Sequence, residues 1–130
     1  MGMVFTRLRL GHYERVDIEQ IDVDALVDTG ALNLCIPRVL VEQLKLKTMQ
    51  MKKVRLADGS AHEVAQVGGV VVEMMGRSTT TTALVMGDQV LLGAIPMEDM
   101  DLVVHPARQV VEPADPSAVT AFVGAHTLIN

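Results

Sequence analysis

The residues best placed to do chemistry are Asp28, Thr29 and Gly30, which end the apolar run Ala25-Leu26-Val27. An apolar strand that stops abruptly at Asp-Thr-Gly delivers a carboxylate to the tip of a sheet, where it can give or take a proton. The same tripeptide also makes an ordinary strand-end turn in which Asp28 or Thr29 caps local backbone groups. Taken alone, it fits the turn at least as well as the chemistry. The other candidates read more plainly. His12, His62, His105 and His126 lack metal-ligand spacing, and with only Cys35 to join them no zinc site is expected. Cys35 stands between Leu34 and Ile36, so a buried, inert thiol is expected rather than a nucleophile. Met49, Met51, Met74, Met75, Met97 and Met100 are scattered, as core filling or pocket lining would be. Glu98, Asp99 and Asp101 read as a solvated helix face, and Lys45, Lys47, Lys52 and Lys53 as ordinary surface along a helix end and loop.

Many short strands must position Asp28. Val4 to Glu14 alternates as a first strand, and Ile18, Ile21 and Val23 lead into the second, which runs to Asp28. Leu34-Cys35-Ile36 resumes the apolar run, and Pro37 suits the first turn of a helix that ends near Lys45. Val54-Arg55-Leu56 is expected as a short strand, Asp58-Gly59 as a type I′ hairpin turn, and Ala61 to Val67 as the return strand. Gly68-Gly69 should break the chain before a strand from Val70 to Met75, which Gly76-Arg77 turns into a strand containing Thr79 to Met86. After Gly87-Asp88, Val90-Leu91-Leu92 is a buried strand meeting Gly93, followed by a short helix from Pro96 to Asp101. Leu102 to Val104 and Gln109 to Val111 would be the last strands, with Glu112 to Pro116 as a linker. This pattern describes an all-β domain.

The 130 residues suffice for one buried core, and hydrophobic residues make up 49% of them. Aromatics are only 2%, so Val, Leu, Ile, Ala and Met must build that core. The net charge of −5, with neither a strong basic cluster nor aromatics interleaved with basic residues, argues against nucleic acid as a partner. A single cysteine excludes an internal disulfide and suits a reducing compartment. No apolar run reaches membrane-spanning length and no signal-peptide pattern opens the chain, so a cytoplasmic location without membrane association is expected.

Context then weighs on Asp28. Ala25-Leu26-Val27-Asp28-Thr29-Gly30-Ala31, followed far downstream by Val90-Leu91-Leu92-Gly93, resembles the retropepsin-like aspartic peptidases, and small bacterial single-domain members most closely. In that family an apolar strand precedes Asp-Thr/Ser-Gly-Ala and a distant apolar-apolar-Gly strand threads beside it. A hairpin flap lies between them, where Asp58-Gly59 stands here, and a short helix follows the glycine. The resemblance spans roughly residues 4 to 112. It implies a closed acid-protease β-barrel with one or two short helices, one lobe per chain, over residues 1–112, with 113–130 a tail of unassigned role.

The resemblance also implies roles. Asp28 would be the catalytic carboxylate, and Thr29 would hydrogen-bond across a dimer axis. Gly30 would let the partner backbone approach, and Ala31 would keep the space beside the carboxylates small. Ala57, Asp58, Gly59 and Ser60 would close over substrate. Leu91, Leu92 and Gly93 would support the catalytic loop. Two carboxylates about 3 Å apart sharing a proton are needed for such peptide hydrolysis, and this chain has one Asp-Thr-Gly and room for one lobe. A two-fold homodimer contributing Asp28 twice is therefore expected, with a polypeptide substrate and no cofactor or metal. The chain departs from viral members at Leu32 and Ala94, where an acidic residue and an arginine often form an ion pair; both partners are missing together. Two rival readings remain open: a dimer of the same fold that binds peptides with little or no turnover, and a monomeric β-barrel with a fortuitous Asp-Thr-Gly.

Overall fold

The computed structural model of the chain describes residues 3–115. Alternation decides its first strands. In Val4–His12 (β1), Val4, Leu8 and Leu10 turn into the core while Phe5, Arg7 and Arg9 face solvent. Ile21–Val27 (β2) returns antiparallel, setting Val27 opposite Val4 and Asp22 opposite Arg9. Arg7–Asp24 at 3.1 Å and Arg9–Asp22 at 2.8 Å span this ladder. Such exposed pairs add little energy each, but they agree with the register that the buried face demands.

The remaining elements are Leu34–Ile36 (β3), Arg38–Gln43 (α1), Lys47–Arg55 (β4), Ala61–Met74 (β5), Arg77–Val85 (β6), Val90–Leu92 (β7), Ala94–Asp99 (α2), Leu102–His105 (β8) and Val110–Pro113 (β9). The first seven strands form one sheet in the order β1-β2-β7-β3-β6-β5-β4. Because β1 also pairs with β5, six of them close into a barrel, and β4 remains outside as an edge. β7 runs parallel to β2 and antiparallel to β3, so it is wedged between the strand that enters the Asp28 turn and the strand that leaves it. β8 and β9 make a separate hairpin. The barrel is filled by aliphatic side chains, with Leu10, Leu34, Ile36, Leu44, Val67, Val70, Val72 and Leu92 fully buried. Phe5 and Tyr13 are 50% and 63% exposed, so this core holds no aromatic ring from them. The fold is all-β with a closed barrel and two short helices, as expected. No helix among the described residues is long and apolar enough to cross a membrane.

Several local expectations are corrected. The short strand at Val54 is the end of the nine-residue β4, so Lys47, Lys52 and Lys53 lie on a strand rather than in a loop. Lysine has little strand preference of its own; pairing with β5 overrides it. Gly68-Gly69 does not break the chain but forms a bulge in the fourteen-residue β5, where Gly69 accepts a hydrogen bond from Tyr13 N–H at 2.9 Å. At the β4–β5 tip, Gly59 alone has positive φ, at 86°, and its N–H donates to the Leu56 carbonyl at 2.9 Å. That is a three-residue loop ending in a left-handed glycine, not the two-residue type I′ turn, which needs positive φ at Asp58 as well. The two-residue turn occurs instead at Met75-Gly76, with φ of 52° and 74°, and Arg77 opens β6.

Arg77 is buried, and its guanidinium donates to the carbonyls of Met100, Asp101 and Asp115 at 2.8, 2.7 and 3.1 Å. It thereby satisfies the C-terminal end of α2 and fixes the path of the chain beyond β9. Glu112 and Pro113, expected in a linker, complete β9 opposite Val103 and Leu102. Pro116 and the tail from Ser117 lie outside the described residues.

Candidate active site

Asp28 is held at the end of β2 by continuation of the barrel ladder. Its N–H donates to the Leu92 carbonyl at 3.0 Å, one step beyond the Val27–Leu92 pair. The side chain then turns back on its own loop: Oδ1 accepts the Gly30 N–H at 3.0 Å, and the Asp28 carbonyl accepts the Ala31 N–H at 3.1 Å. One carboxylate oxygen is thus tied to the loop, and Asp28 stays exposed. The local capping expected of a plain turn and the display of a carboxylate are both present in one geometry. Thr29 is exposed, and its hydroxyl makes no hydrogen bond to another described residue.

The loop is seated on the start of α2. Ala94 N–H and Ile95 N–H donate to the carbonyls of Ala31 and Leu32, both at 2.9 Å, so the helix's first free donors are satisfied by the loop itself. Gly93, which caps the helix, passes directly under Leu32 and Asn33. A Cβ there would stand 2.8 Å from Asn33 N and Leu32 C, and nearer still to the Asn33 carbonyl oxygen. Around Leu32 and Ala94, backbone hydrogen bonds hold the loop. Leu32 and neighbouring Ile95 present apolar side chains that are 64% and 41% exposed.

A groove of about 660 Å³ opens beside the carboxylate. Asp28 and Thr29 form part of its wall, with Leu26, Val27, Met97 and Val103 among its apolar lining. Of the site residues expected from the sequence, only these two line it; Gly30 and Ala31 lie in the same loop, and Leu91 and Leu92 support it from β7. Glu98, expected on a solvated helix face, is exposed but also lines the groove and brings a second carboxyl group to it. Asp99 and Asp101 are not merely solvated, since Asp99 accepts from the Thr79 hydroxyl at 3.2 Å and Asp101 lies 3.5 Å from Arg77. The contributions of Met3, Val103, Val104 and Pro106 to this groove had no signal in the sequence, because only the β8–β9 hairpin's docking beside β1 brings them there.

Ala57, Asp58, Gly59 and Ser60 form the tip of the β4–β5 hairpin and do not line the groove of the single chain. Asp58 Oδ1 accepts from the Ser60 hydroxyl at 2.5 Å and from Ser60 N–H at 2.9 Å. The hydroxyl first, then the amide, hold the Asp58 carboxyl below its ordinary value. A depressed carboxylate pKa gives the folded tip stability that is complete above the usual value near 3.9 and lost as pH falls through the lower one. The tip is therefore expected to stay intact from neutral pH to about 5 and to loosen only below about 4. The Ser60 amide shift followed by NMR through an acid titration checks this; a midpoint above the usual carboxylate range would refute it.

Cys35 is buried, as expected, and burial first, then the charge of Asp28, push its thiol pKa up. His12 Nδ1 accepts from the Glu14 and Arg15 N–H groups in a turn, His62 contacts the Ser60 hydroxyl, and His105 pairs with Glu112. His126 lies outside the described residues. Among the described residues, no three His, Cys, Asp or Glu side chains converge in a metal-binding arrangement.

Comparison with known proteins agrees with this geometry. The family model described as gag-polyprotein putative aspartyl protease matches residues 15–95, from the turn before β2 to the first turn of α2. No curated protein matches the chain. The matched span takes in the Asp-Thr-Gly loop, the β4–β5 hairpin and the β7 strand with Gly93, on a closed all-β barrel. The chain belongs to the retropepsin-like aspartyl protease family.

Proposed function

We propose that this chain is an aspartic endopeptidase that works as a two-fold homodimer, each protomer supplying Asp28. The observation that carries the reading is the exposed Asp28 carboxylate, held by its own loop at the edge of an apolar groove. Two such carboxylates about 3 Å apart cannot both ionise, so the pair shares a proton. The ionised member takes a proton from the attacking water, while the protonated member donates toward the substrate carbonyl oxygen. The hydroxide so formed adds to the carbonyl carbon and gives a tetrahedral gem-diol. The first carboxyl then returns its proton to the amide nitrogen while the second takes one back from a gem-diol hydroxyl, and the C–N bond breaks to release acid and amine with the shared proton restored. One chain has one such aspartate, so the second must come from a copy.

Features around the loop support that assembly. Thr29 is exposed beside Asp28 and its hydroxyl bonds no other described residue, so it is available to a symmetry mate. Gly30 and Ala31 keep the approach free of bulk. Leu32 and Ile95 offer exposed apolar surface next to the carboxylate, and the groove wall offers more. Residues Ala57 to Ser60 would descend over a bound, extended substrate and exclude water.

The test is cleavage of a diverse peptide mixture near about pH 5, where a proton-sharing pair is expected to work, over a range of protein concentrations. Cutting per chain that rises with concentration, in step with a sedimentation mass that doubles, supports the reading. Cutting strictly proportional to protein at monomer mass would refute the shared dyad. A stable dimer that binds peptides without cutting them would assign the fold a binding role instead.

A further inference from the structure

The molecule's charge is divided in a way that its net value conceals. All four lysines and Arg55 fall between Leu44 and Ala57, a segment with no Asp or Glu. The other six cations are arginines and stand among sixteen carboxylates, so the segment carries +5 and the remainder −10, which together give the net −5. Most of this segment is β4, whose residues are all exposed except half-buried Val54. Elsewhere five of the six, Arg7, Arg9, Arg15, Arg77 and Arg108, each pair with a carboxylate, and Arg38 alone among them pairs with none of the described residues' carboxylates. Among the described residues, Lys47, Lys52, Lys53 and Arg55 have no carboxylate within 4.0 Å. Arg55 donates to the Gly59 carbonyl at 2.7 Å, which leaves its charge uncompensated. Glu63 stands opposite Lys53 in the hairpin register without forming an ion pair. Lys45 lies outside the strip, near enough to Asp17 to help hold that carboxyl down.

This strip is also an open sheet edge. β4 is last in the strand order, and among the described residues its outer side pairs with no strand. It is nine residues long, about 30 Å at strand rise. Lysines on an edge, like a bulge, can serve to prevent strand pairing, and the β4–β5 register is irregular between Thr48 and Gln50. From Gln50 to Arg55, however, β4 pairs regularly, and between its cations Met49 and Met51 are 62% and 53% exposed. A long free edge of one charge sign with adaptable apolar side chains offers main-chain hydrogen bonds, electrostatic selection and side-chain contact together.

We propose that the free edge of β4 is a docking strand for an extended, acidic polypeptide segment, which pairs with it as an added strand while its Asp or Glu side chains meet Lys47, Lys52, Lys53 and Arg55. The proposal does not require that the bound segment be cut, so it stands or falls separately from the peptidase reading.

The test uses the full-length chain at about pH 7 and fluorescence anisotropy with a labelled nine-residue peptide of alternating Glu and Thr. Its Gln-for-Glu and Lys-for-Glu counterparts, a backbone N-methylated version and a single-stranded oligonucleotide of matching charge are compared with it. The acidic peptide is expected to bind roughly tenfold or more tighter than the Gln peptide, the sum of a few exposed charge pairs, and to weaken with salt. N-methylation on alternate residues should abolish binding. The double variant Lys52→Glu/Lys53→Glu should lose the acidic peptide and gain the Lys peptide, and Lys52→Gln/Lys53→Gln should show the loss without added repulsion. Equal binding of the Glu and Gln peptides, or indifference to N-methylation, would overturn the proposal. Tighter binding of the oligonucleotide would overturn it too, reassigning the strip to a nucleic acid.

Discussion

Replacing Gly93 by alanine is expected to destabilise the fold by about 3 kcal/mol, a large part of a domain's usual total. The cause is steric and not conformational. Gly93 has φ −87° and ψ −176°, extended backbone that any residue adopts. A methyl group there would overlap the backbone of Leu32 and Asn33, atoms that cannot rotate away as a side chain can. Relief requires the 28–33 loop to lift from β7 and α2, which would break the Ala94–Ala31 and Ile95–Leu32 hydrogen bonds as well. Gly59→Ala is the control. Its φ of 86° carries a conformational cost of about 1 kcal/mol, yet nothing lies within 4 Å of the added carbon. Urea midpoints should therefore fall much further for Gly93→Ala than for Gly59→Ala. Equal shifts would mean that the loop can recede from the strand at little cost.

Asp28→Asn is expected to leave the fold intact and lower peptide turnover by about a thousandfold or more. The asparagine side-chain oxygen can accept the Gly30 N–H that Asp28 Oδ1 accepts at 3.0 Å, so the loop keeps its shape. What is lost is the ability to take and return a proton. In a symmetric dimer the substitution enters twice, and neither half can compensate for the other. Stability within about 0.5 kcal/mol of the parent, together with the loss of turnover, would locate the effect in the chemistry. Turnover within about tenfold of the parent would remove Asp28 from the proposed mechanism. Retention of peptide affinity by the inactive variant would separate binding from hydrolysis.

Much of the barrel was legible because its signals are local. β1 alternates, β2 ends just before Asp28, and the aliphatic runs of β3 and β7 lie on the barrel wall, buried except for half-buried Leu91, as an aromatic-poor chain requires. The pairing of an Asp-Thr-Gly strand with a distant Leu-Leu-Gly strand was legible through resemblance, and the parallel β2–β7 ladder bears out that placement. Local spacing misplaced what pairing controls. The Lys-rich run has weak strand preference and became β4 only through β5; two adjacent glycines looked like a break and became a bulge, because neighbouring strands hold β5 on both sides of it. The type I′ turn expected at Asp58-Gly59 occurs instead at Met75-Gly76, one residue before the Gly76-Arg77 turn expected there, since loop length follows from the register of the flanking strands.

By itself, the sequence determined an aliphatic all-β domain and a single carboxylate at a strand end, because burial alternates with residue spacing and Asp-Thr-Gly stops an apolar run. Only the tertiary structure decided what surrounds that carboxylate. The groove is assembled from β2, α2, β8 and the start of β1, elements far apart in the chain that closure of the barrel and docking of the last hairpin bring together. The same folding gathered every lysine but Lys45 onto one open edge, a division of charge that net composition averages away. Spacing along a chain records which way a side chain points from its own strand; which side chains meet depends on which strands pair.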